Sequence, residues 1–349
     1  MNIGVIFGQM LVLLAMMAVG FFCYKKSWVS DETAGHLSKL AVNVFNPILV
    51  INGVLGQNSA EAGNSVAWNL MFIVIYFVLL MVIGFLMPVL LRPQEKHKSV
   101  YRLMTIFSNV GFMGIPVIKS IFGDGAMIYI AFYILAYNLM LYTVGMFLSI
   151  KAGEENHQSS VSYLEAMAAN GEGKKSEKDE QQAVRSTLTV GKSNGVAEFF
   201  KRLLNPGVIA ALFAVVIFAF GIQMPGPVIT FCDYMGNTTI PLSMIMIGIS
   251  MAQANFREVF GDIRIYIFVA LRMIALPILM AFAFKGLVAA YAIDPVVFGV
   301  FIIELGMPVG SIIVMMAREK GADAAYCTKG VVVSTLASIV TIPLICAFL

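Results

Sequence analysis

The chain has 349 residues, of which 59% are hydrophobic and 12% are charged, and its formal net charge is +3. A soluble domain carries about 25% charged residues, so this composition, with a mean hydropathy of +0.86, excludes a soluble protein. It indicates a multi-pass protein whose surroundings are the lipid bilayer, and we expect no nucleic-acid partner.

Ten apolar blocks of about 16 to 26 residues are each long enough to cross a hydrocarbon core of roughly 30 Å as a helix. They predict an all-α membrane protein with ten transmembrane helices, since the short alternating segments of an outer-membrane barrel are absent. Lys25 and Lys26 follow the first block, which is typical of an uncleaved span and not of a signal peptide. The predicted spans are 3–24, 37–57, 67–91, 101–121, 127–150, 206–221, 227–252, 267–290, 296–317 and 324–348.

Basic residues predict the topology. Alternate connections between the spans carry 20 of the 23 Lys and Arg residues. Because basic loops stay in the cytoplasm, both termini are expected outside a plasma (inner) membrane. Arg272 lies just inside the eighth span, where we expect its long side chain to snorkel to the interface.

The first predicted unit, 1–150, contains two spans with helix breakers beside polar side chains. Asn46 precedes Pro47 in the second span, and the fourth carries Asn-Val-Gly-Phe-Met-Gly-Ile-Pro from Asn109 to Pro116. Lipid tolerates the unpaired backbone at such breaks only where protein buries it or where it lines a watery cavity. We therefore predict a broken fourth helix and a substrate site with these candidates: Asn46, Ser108, Asn109, Gly111, Gly114 and Pro116.

Asn109 has two interpretations. It could hydrogen-bond an anionic substrate while a half-helix beginning near Pro116 adds its positive dipole. It could instead only bond to a neighbouring helix, as polar residues in membrane bundles often do.

The segment 151–205 is polar, with eight basic and eight acidic residues. It cannot bury enough apolar surface to fold alone. We predict a cytoplasmic, largely disordered linker that could hold a short amphipathic helix near 195–204.

The second predicted unit, 206–349, carries the acidic candidates. Glu304 lies in the ninth span, where a carboxylate costs at least about 2.5 kcal/mol and is expected to face protein or water. It could carry a proton, bind a sodium ion with carbonyls freed at the break, or be a structural acid. Asp233, in the seventh span, could be a gate or a proton relay. Further substrate-binding candidates are Ser243, Gly306, Pro308 and Ser311.

The two units repeat one pattern. Pro308 follows Pro116 by 192 residues, and Pro241 follows Pro47 by 194. Offsets this similar predict one five-helix unit used twice, and because five is odd the second copy enters the membrane from the opposite side. Inverted repeats with broken helices near the midplane are the architecture of many secondary transporters.

These strings, in this order, resemble the auxin efflux carrier family, which includes plant auxin exporters and bacterial permeases for malate and malonate. The resemblance covers all ten spans but not 151–205. It implies crossed, broken helices in spans four and nine, an elevator-like transport domain moving against a scaffold, and a homodimer formed through scaffold helices.

Some single residues match the family's pattern and one departs from it. Asn109 lies where the family has a substrate-contacting asparagine, and Pro116 and Pro308 match its crossover prolines. Glu304 departs from the plant members. The string Glu-Leu-Gly-Met at 304–307 is similar instead to the bile-acid/sodium symporters, in which that glutamate helps to bind sodium.

We therefore predict a secondary active transporter of a small organic anion, such as malate, malonate or an auxin-like weak acid, coupled to a proton or sodium gradient. No other cofactor is expected. The alternatives are a sodium-coupled symporter of a bulkier amphipathic acid and a channel or receptor on the same fold. An enzyme is not expected, because the chain lacks His-Glu-x-x-His, Gly-x-Ser-x-Gly and the ATP-binding Gly-x-x-x-x-Gly-Lys-[Ser/Thr] motif.

Overall fold

A computed structural model of the protein describes residues 3–55, 59–169, 206–253 and 259–349. Helices account for nearly all of this part of the chain, and no β-strand occurs in it. The helices are α1 (Ile3–Lys25), α2 (Asp31–Asn52), α3 (Ser59–Leu91), α4 (Lys98–Ile106), α5 (Val110–Phe122), α6 (127–169), α7 (Pro206–Phe220), α8 (Gly226–Gln253), α9 (Ile263–Ala290), α10 (Pro295–Gly306), α11 (Ile312–Glu319) and α12 (Ala324–Cys346).

Each of the ten apolar blocks is helical over most of its length. Within the described residues, seven helices are long and apolar enough to cross a membrane: α1, α2, α3, α6, α8, α9 and α12. The other three blocks hold shorter apolar helices, Val110–Phe122, Pro206–Phe220 and Pro295–Gly306. The all-helical membrane fold is confirmed, whereas the division into ten spans and two inverted repeats stays a prediction.

The sequence of α3 shows why these helices belong in lipid. Val74, Val78 and Val82 recur every fourth residue on an exposed face, while Tyr76 and Leu80 are fully buried. A helix that is apolar on its outer as well as its inner face is stable against hydrocarbon and not against water.

Among the described residues four helices contain a wider π-helical turn, and in three of them a proline follows two residues after the turn. Proline has no N–H and its ring collides with the carbonyl four residues earlier, so a wider turn relieves the clash without ending the helix. The three turns and their prolines are Ala41–Phe45 with Pro47, Val110–Gly114 with Pro116, and Leu271–Ala275 with Pro277.

Helices α1 and α8 pack backbone against backbone. A Cβ added at Gly20 would collide with the carbonyl oxygen of Ile245, and one added at Gly248 would collide with that of Met17. Small residues allow this approach between membrane helices, where dispersion contacts and not water exclusion drive association.

The beginning of the predicted linker is part of the folded protein. Helix α6 continues to Ala169, and Glu155 accepts hydrogen bonds from Ser99 N (2.8 Å) and Ser99 Oγ (2.7 Å) at the start of α4. Asn156 Nδ2 donates to Gly321 O at 3.0 Å. Residues 151–169 of the predicted linker are therefore helical and bonded to the bundle, because these polar side chains satisfy backbone groups at helix ends, whereas the division into domains stays a prediction. The rest of the segment, 170–205, with the helix predicted near 195–204, lies outside the described residues.

A polar cluster joins the short turn before α4 to the start of α12. His97 Nε2 lies 3.0 Å from Asp323 Oδ2, and the His97 ring stacks on Tyr326 with ring centroids 3.8 Å apart. Asp323 Oδ1 also accepts from Tyr326 N at 2.9 Å, which caps α12. The hydrogen bond from His97, which outweighs the opposing effect of burial, lowers the pKa of Asp323 to about 2.

We expect Gly20→Ala and Gly248→Ala each to destabilise the protein by about 1–3 kcal/mol, since each methyl would force α1 and α8 apart. The measurement is the thermal midpoint of the purified protein in detergent. Gly8→Ala, also in α1, is the matched control because a Cβ there meets nothing within 4 Å. Equal midpoints for all three variants would contradict the close packing.

Asp323 should contribute pH-dependent stability. A carboxyl whose folded pKa is lowered stabilises the fold above its unfolded pKa of 3.8 and loses that contribution as pH falls toward about 2. We expect Asp323→Asn to remove about 2 kcal/mol at neutral pH and to flatten the loss of stability between pH 5 and pH 3. Thermal midpoints across this range test it, and a variant that keeps the wild-type acid profile would rule it out.

Candidate functional site

Two interrupted helices cross inside the bundle. Helix α4 ends at Ile106 and α10 at Gly306, and the extended segments that follow them pair antiparallel, Ser108 opposite Val309. Two backbone hydrogen bonds hold this crossing, Asn109 N to Pro308 O (2.8 Å) and Gly310 N to Phe107 O (2.9 Å). We call residues 107–109 and 307–310 the crossing.

The break in the first helix lies at the start of the string that predicted it, before its glycines and its proline. Chain extension occurs at 107–109, whereas Gly114 belongs to the π-helical first turn of α5 and Pro116 lies inside α5. The half-helix opens with the π-helical turn at Val110, and its regular α-helical part begins at Ile115 with Pro116 in the first turn, as the prediction of a half-helix beginning near Pro116 has it. Proline fits there because the N–H groups in the first turn of an α-helix have no intrahelical hydrogen-bond partner, so none is lost.

Helix α12 and a glycine stabilise the crossing. Ser334 Oγ accepts a hydrogen bond from Val309 N at 3.0 Å. A Cβ added at Gly310 would collide with Ser108 O, so only glycine allows the two backbones to approach this closely. Gly306 leaves room for the Ile345 side chain of α12, which gives this predicted binding residue a packing role in the structure.

Arg272 is the cation of the site. It projects from the π-helical turn of α9 and is 1% exposed. Its Nε donates to Thr105 O at 3.2 Å, and its two Nη groups donate to Leu305 O and to Ser108 Oγ. The expectation that Arg272 snorkels to the interface is wrong, because carbonyls freed at the two breaks offer it partners inside the protein. An ionisable residue within a span was the signal for it.

Ser108 connects the cation to buried tyrosines. Its hydroxyl shares a 2.9 Å hydrogen bond with Tyr76, whose ring lies edge-on to that of Tyr133 with centroids 5.5 Å apart. The Tyr133 hydroxyl is buried and has no hydrogen-bond partner among the described residues. Ser108, predicted as a substrate ligand, thus already accepts a hydrogen bond from Arg272.

Asn109 and Asn46 each carry a buried amide atom without a hydrogen-bond partner among the described residues. Asn109 is 5% exposed, and its Oδ1 accepts from Phe112 N at 3.2 Å and caps α5. The Asn109 amide nitrogen and Asn46 Oδ1 are buried without partners in the described part of the chain. Asn46 lies beside Gly111, where an added Cβ would make an ordinary contact at 3.6 Å from Asn46 Nδ2.

Glu304 lies in the last turn of α10 and is 0% exposed. Neither carboxylate oxygen has a hydrogen-bond partner within the described residues, and no ion pair joins it to Arg272 there. Gly114 faces it so closely that a Cβ at that position would collide with Oε1. An unpaired buried acid costs several kcal/mol if charged, so this position demands a proton, a cation or a ligand.

The remaining predicted residues, Ser243, Ser311 and Asp233, differ in their burial and in their hydrogen bonds. Ser243 of α8 is fully buried and its hydroxyl has no partner among the described residues. Ser311 begins α11 without a side-chain capping bond. Asp233 is exposed and accepts from Asn52 Nδ2 (3.2 Å) and Asn237 Nδ2 (2.8 Å), so its partners lie outside the crossing.

Membrane-spanning helices that break and cross around buried polar groups define a membrane transporter. Residues 5–346 match the family described as Membrane transport protein, and the chain belongs to this family, that of the auxin efflux carriers. The match confirms a multi-pass membrane transporter and not an enzyme.

Two relatives extend along nearly the whole chain. An uncharacterized transporter of Methanothermobacter thermautotrophicus is 22% identical over 342 residues, which cover 96% of this chain and 95% of that protein. Auxin efflux carrier component 8 of Arabidopsis thaliana is 22% identical over 348 residues, which cover 94% and 93%.

We expect Gly114→Ala to destabilise the protein by about 1–3 kcal/mol, because its methyl group would displace the Glu304 carboxyl within a packed core. Thermal midpoints in detergent provide the measurement. Gly111→Ala, in the same turn, is the control, since its Cβ would make only an ordinary contact at 3.6 Å. If the two alanines had equal effects, Glu304 would not lie against Gly114.

Proposed function

We propose that the protein is a secondary active transporter of a small organic anion, a mono- or dicarboxylate, and that the anion binds beside the crossing. The observation that carries this proposal is the set of buried donors without partners, the Asn109 amide nitrogen and the Tyr133 hydroxyl, near the cation Arg272. A carboxylate offers acceptors for such donors, and charge-assisted hydrogen bonds are about twice as strong as neutral ones.

The helix ends support an anionic substrate. Helices α5 and α11 begin directly after the crossing, so their positive ends lie beside it. The opposite ends, of α4 and α10, already have Arg272 as a partner for their carbonyls. An anion entering the site therefore meets the positive ends of α5 and α11 and not the negative ends of α4 and α10.

Coupling is assigned to Glu304. A buried carboxyl without a partner can exchange a proton, or it can bind a sodium ion together with other oxygen ligands. Within the described residues no three His, Cys, Asp or Glu side chains come together. A sodium ion at Glu304 would therefore need backbone or neutral side-chain oxygens to complete its shell.

The mechanism proposed is an elevator built from two inverted repeats, 1–150 and 206–349, in a plasma (inner) membrane, with both termini outside and a homodimer as the assembly. The sequence α4, break, α5 and the sequence α10, break, α11 are two versions of one pattern, which supports the repeat. Alternate connections carry most of the Lys and Arg residues, and this asymmetry supports an orientation with those connections in the cytoplasm and both termini outside.

The test is exchange of radiolabelled malate or malonate by the full chain in liposomes, with unlabelled carboxylates as competitors. We expect Asn109→Ala to lower apparent affinity about tenfold to a hundredfold, the cost of one hydrogen bond to a charged group. Asn43→Ala is the matched control, because Asn43 is exposed and bonds only within its own helix, to Lys39 O. Equal affinities in both variants would remove Asn109 from the site.

Glu304→Gln tests the coupling. If Glu304 carries a proton, uphill uptake driven by a pH gradient is lost while exchange persists; if it binds sodium, sodium stimulation is lost instead. Ion currents at fixed potential without saturable exchange would indicate a channel and contradict the transporter proposal.

A further inference from the structure

Two helix carboxyl ends meet at the crossing. Thr105 O lies at the end of α4 and Leu305 O at the end of α10. The last carbonyls of a helix have no intrahelical partner, and each such end carries about half a negative charge. In a bilayer no water compensates them, so the crossing needs a positive charge at this point.

Broken-helix transporters commonly meet this need with a coupling ion, since unwound carbonyls and helix carboxyl ends are sodium ligands. In this protein three oxygens of the kind that form such a shell already accept hydrogen bonds from Arg272. Arg272 donates to Thr105 O and to Leu305 O, one from each broken helix, and to Ser108 Oγ between them.

We propose that Arg272 is a resident cation that takes the place of a coupling sodium ion between the broken helices, so that transport requires no sodium there. The planar guanidinium suits this role because its fixed fork of donors reaches several oxygens at once. The side chain comes from a third helix, α9, and it therefore ties both broken helices to that helix. It is a positioning residue, and Glu304 remains the exchangeable acid.

The inference rests on the proposed transport of an organic anion, but its first test needs no substrate. The thermal midpoint of the full-length protein in detergent is measured for wild type, Arg272→Ala and Arg264→Ala, with and without millimolar guanidinium chloride. Arg264 is the matched control because it lies in the same helix and is exposed.

We expect Arg272→Ala to lower the midpoint and guanidinium to restore much of the loss, by binding the vacated oxygens of the folded state. Guanidinium should not raise the midpoint of wild type or of Arg264→Ala. If guanidinium raised the midpoint of Arg272→Ala no more than that of wild type, the resident-cation proposal would be overturned. Choline chloride at the same concentration controls for ionic strength.

Two further variants apply if Arg272→Ala does not fold. Arg272→Lys keeps the charge and Arg272→Gln keeps only neutral donors. A resident cation requires the lysine variant to be the more stable, and a glutamine variant of equal or greater stability would overturn the proposal.

Exchange in liposomes provides the second test. Glu304→Gln removes the other sodium candidate, so exchange by this variant should be the same in sodium and in choline media. Arg272→Ala should lose on the order of tenfold or more of the wild-type exchange and regain activity with guanidinium. Exchange by Glu304→Gln that stops in choline would overturn the inference, because it would reveal a sodium site other than Glu304. Absence of any carboxylate exchange by wild type would instead contradict the proposed function, while the midpoints still decide the role of Arg272.

Discussion

The rest of the structure depends on one constraint, which is that backbone groups freed inside a membrane must find partners within the protein. At the crossing the two extended segments pair with each other, and Ser334 of α12 accepts from Val309 N. The carbonyls of Thr105 and Leu305 accept hydrogen bonds from Arg272. Because every partner comes from a different helix, the crossing also fixes how α4, α9, α10 and α12 pack.

Once the backbone is satisfied, the polar groups that remain unpaired are informative. Among the described residues the Glu304 carboxyl, the Asn109 amide nitrogen and the Tyr133 hydroxyl are buried without partners. Folding alone would not retain such groups, since each costs about 1–3 kcal/mol or more when unsatisfied. These three lie at or near the crossing, and they are the physical basis for proposing that an anion binds there.

Small residues and wider turns make this arrangement possible. Gly310 allows the two extended segments to touch, and Gly114 leaves room for the Glu304 carboxyl. The π-helical turn Leu271–Ala275 precedes Pro277 and carries Arg272. A local irregularity that a proline imposes on α9 thus lies at the position from which the guanidinium reaches both broken helices. The same coincidence of wide turn and proline occurs at the start of α5.

The sequence by itself determined the membrane class, the helical character of all ten apolar blocks and the presence of interruptions in the fourth and ninth, because hydropathy, proline and glycine act locally. Only the tertiary structure decided where the first break lies, that Arg272 is buried and not at the interface, and that Glu304 faces Gly114. These depend on which carbonyls of segments about 200 residues apart come to face one another. Local propensity carries no information about such contacts, and the acceptors that make burial of a charge favourable exist only after the helices have crossed.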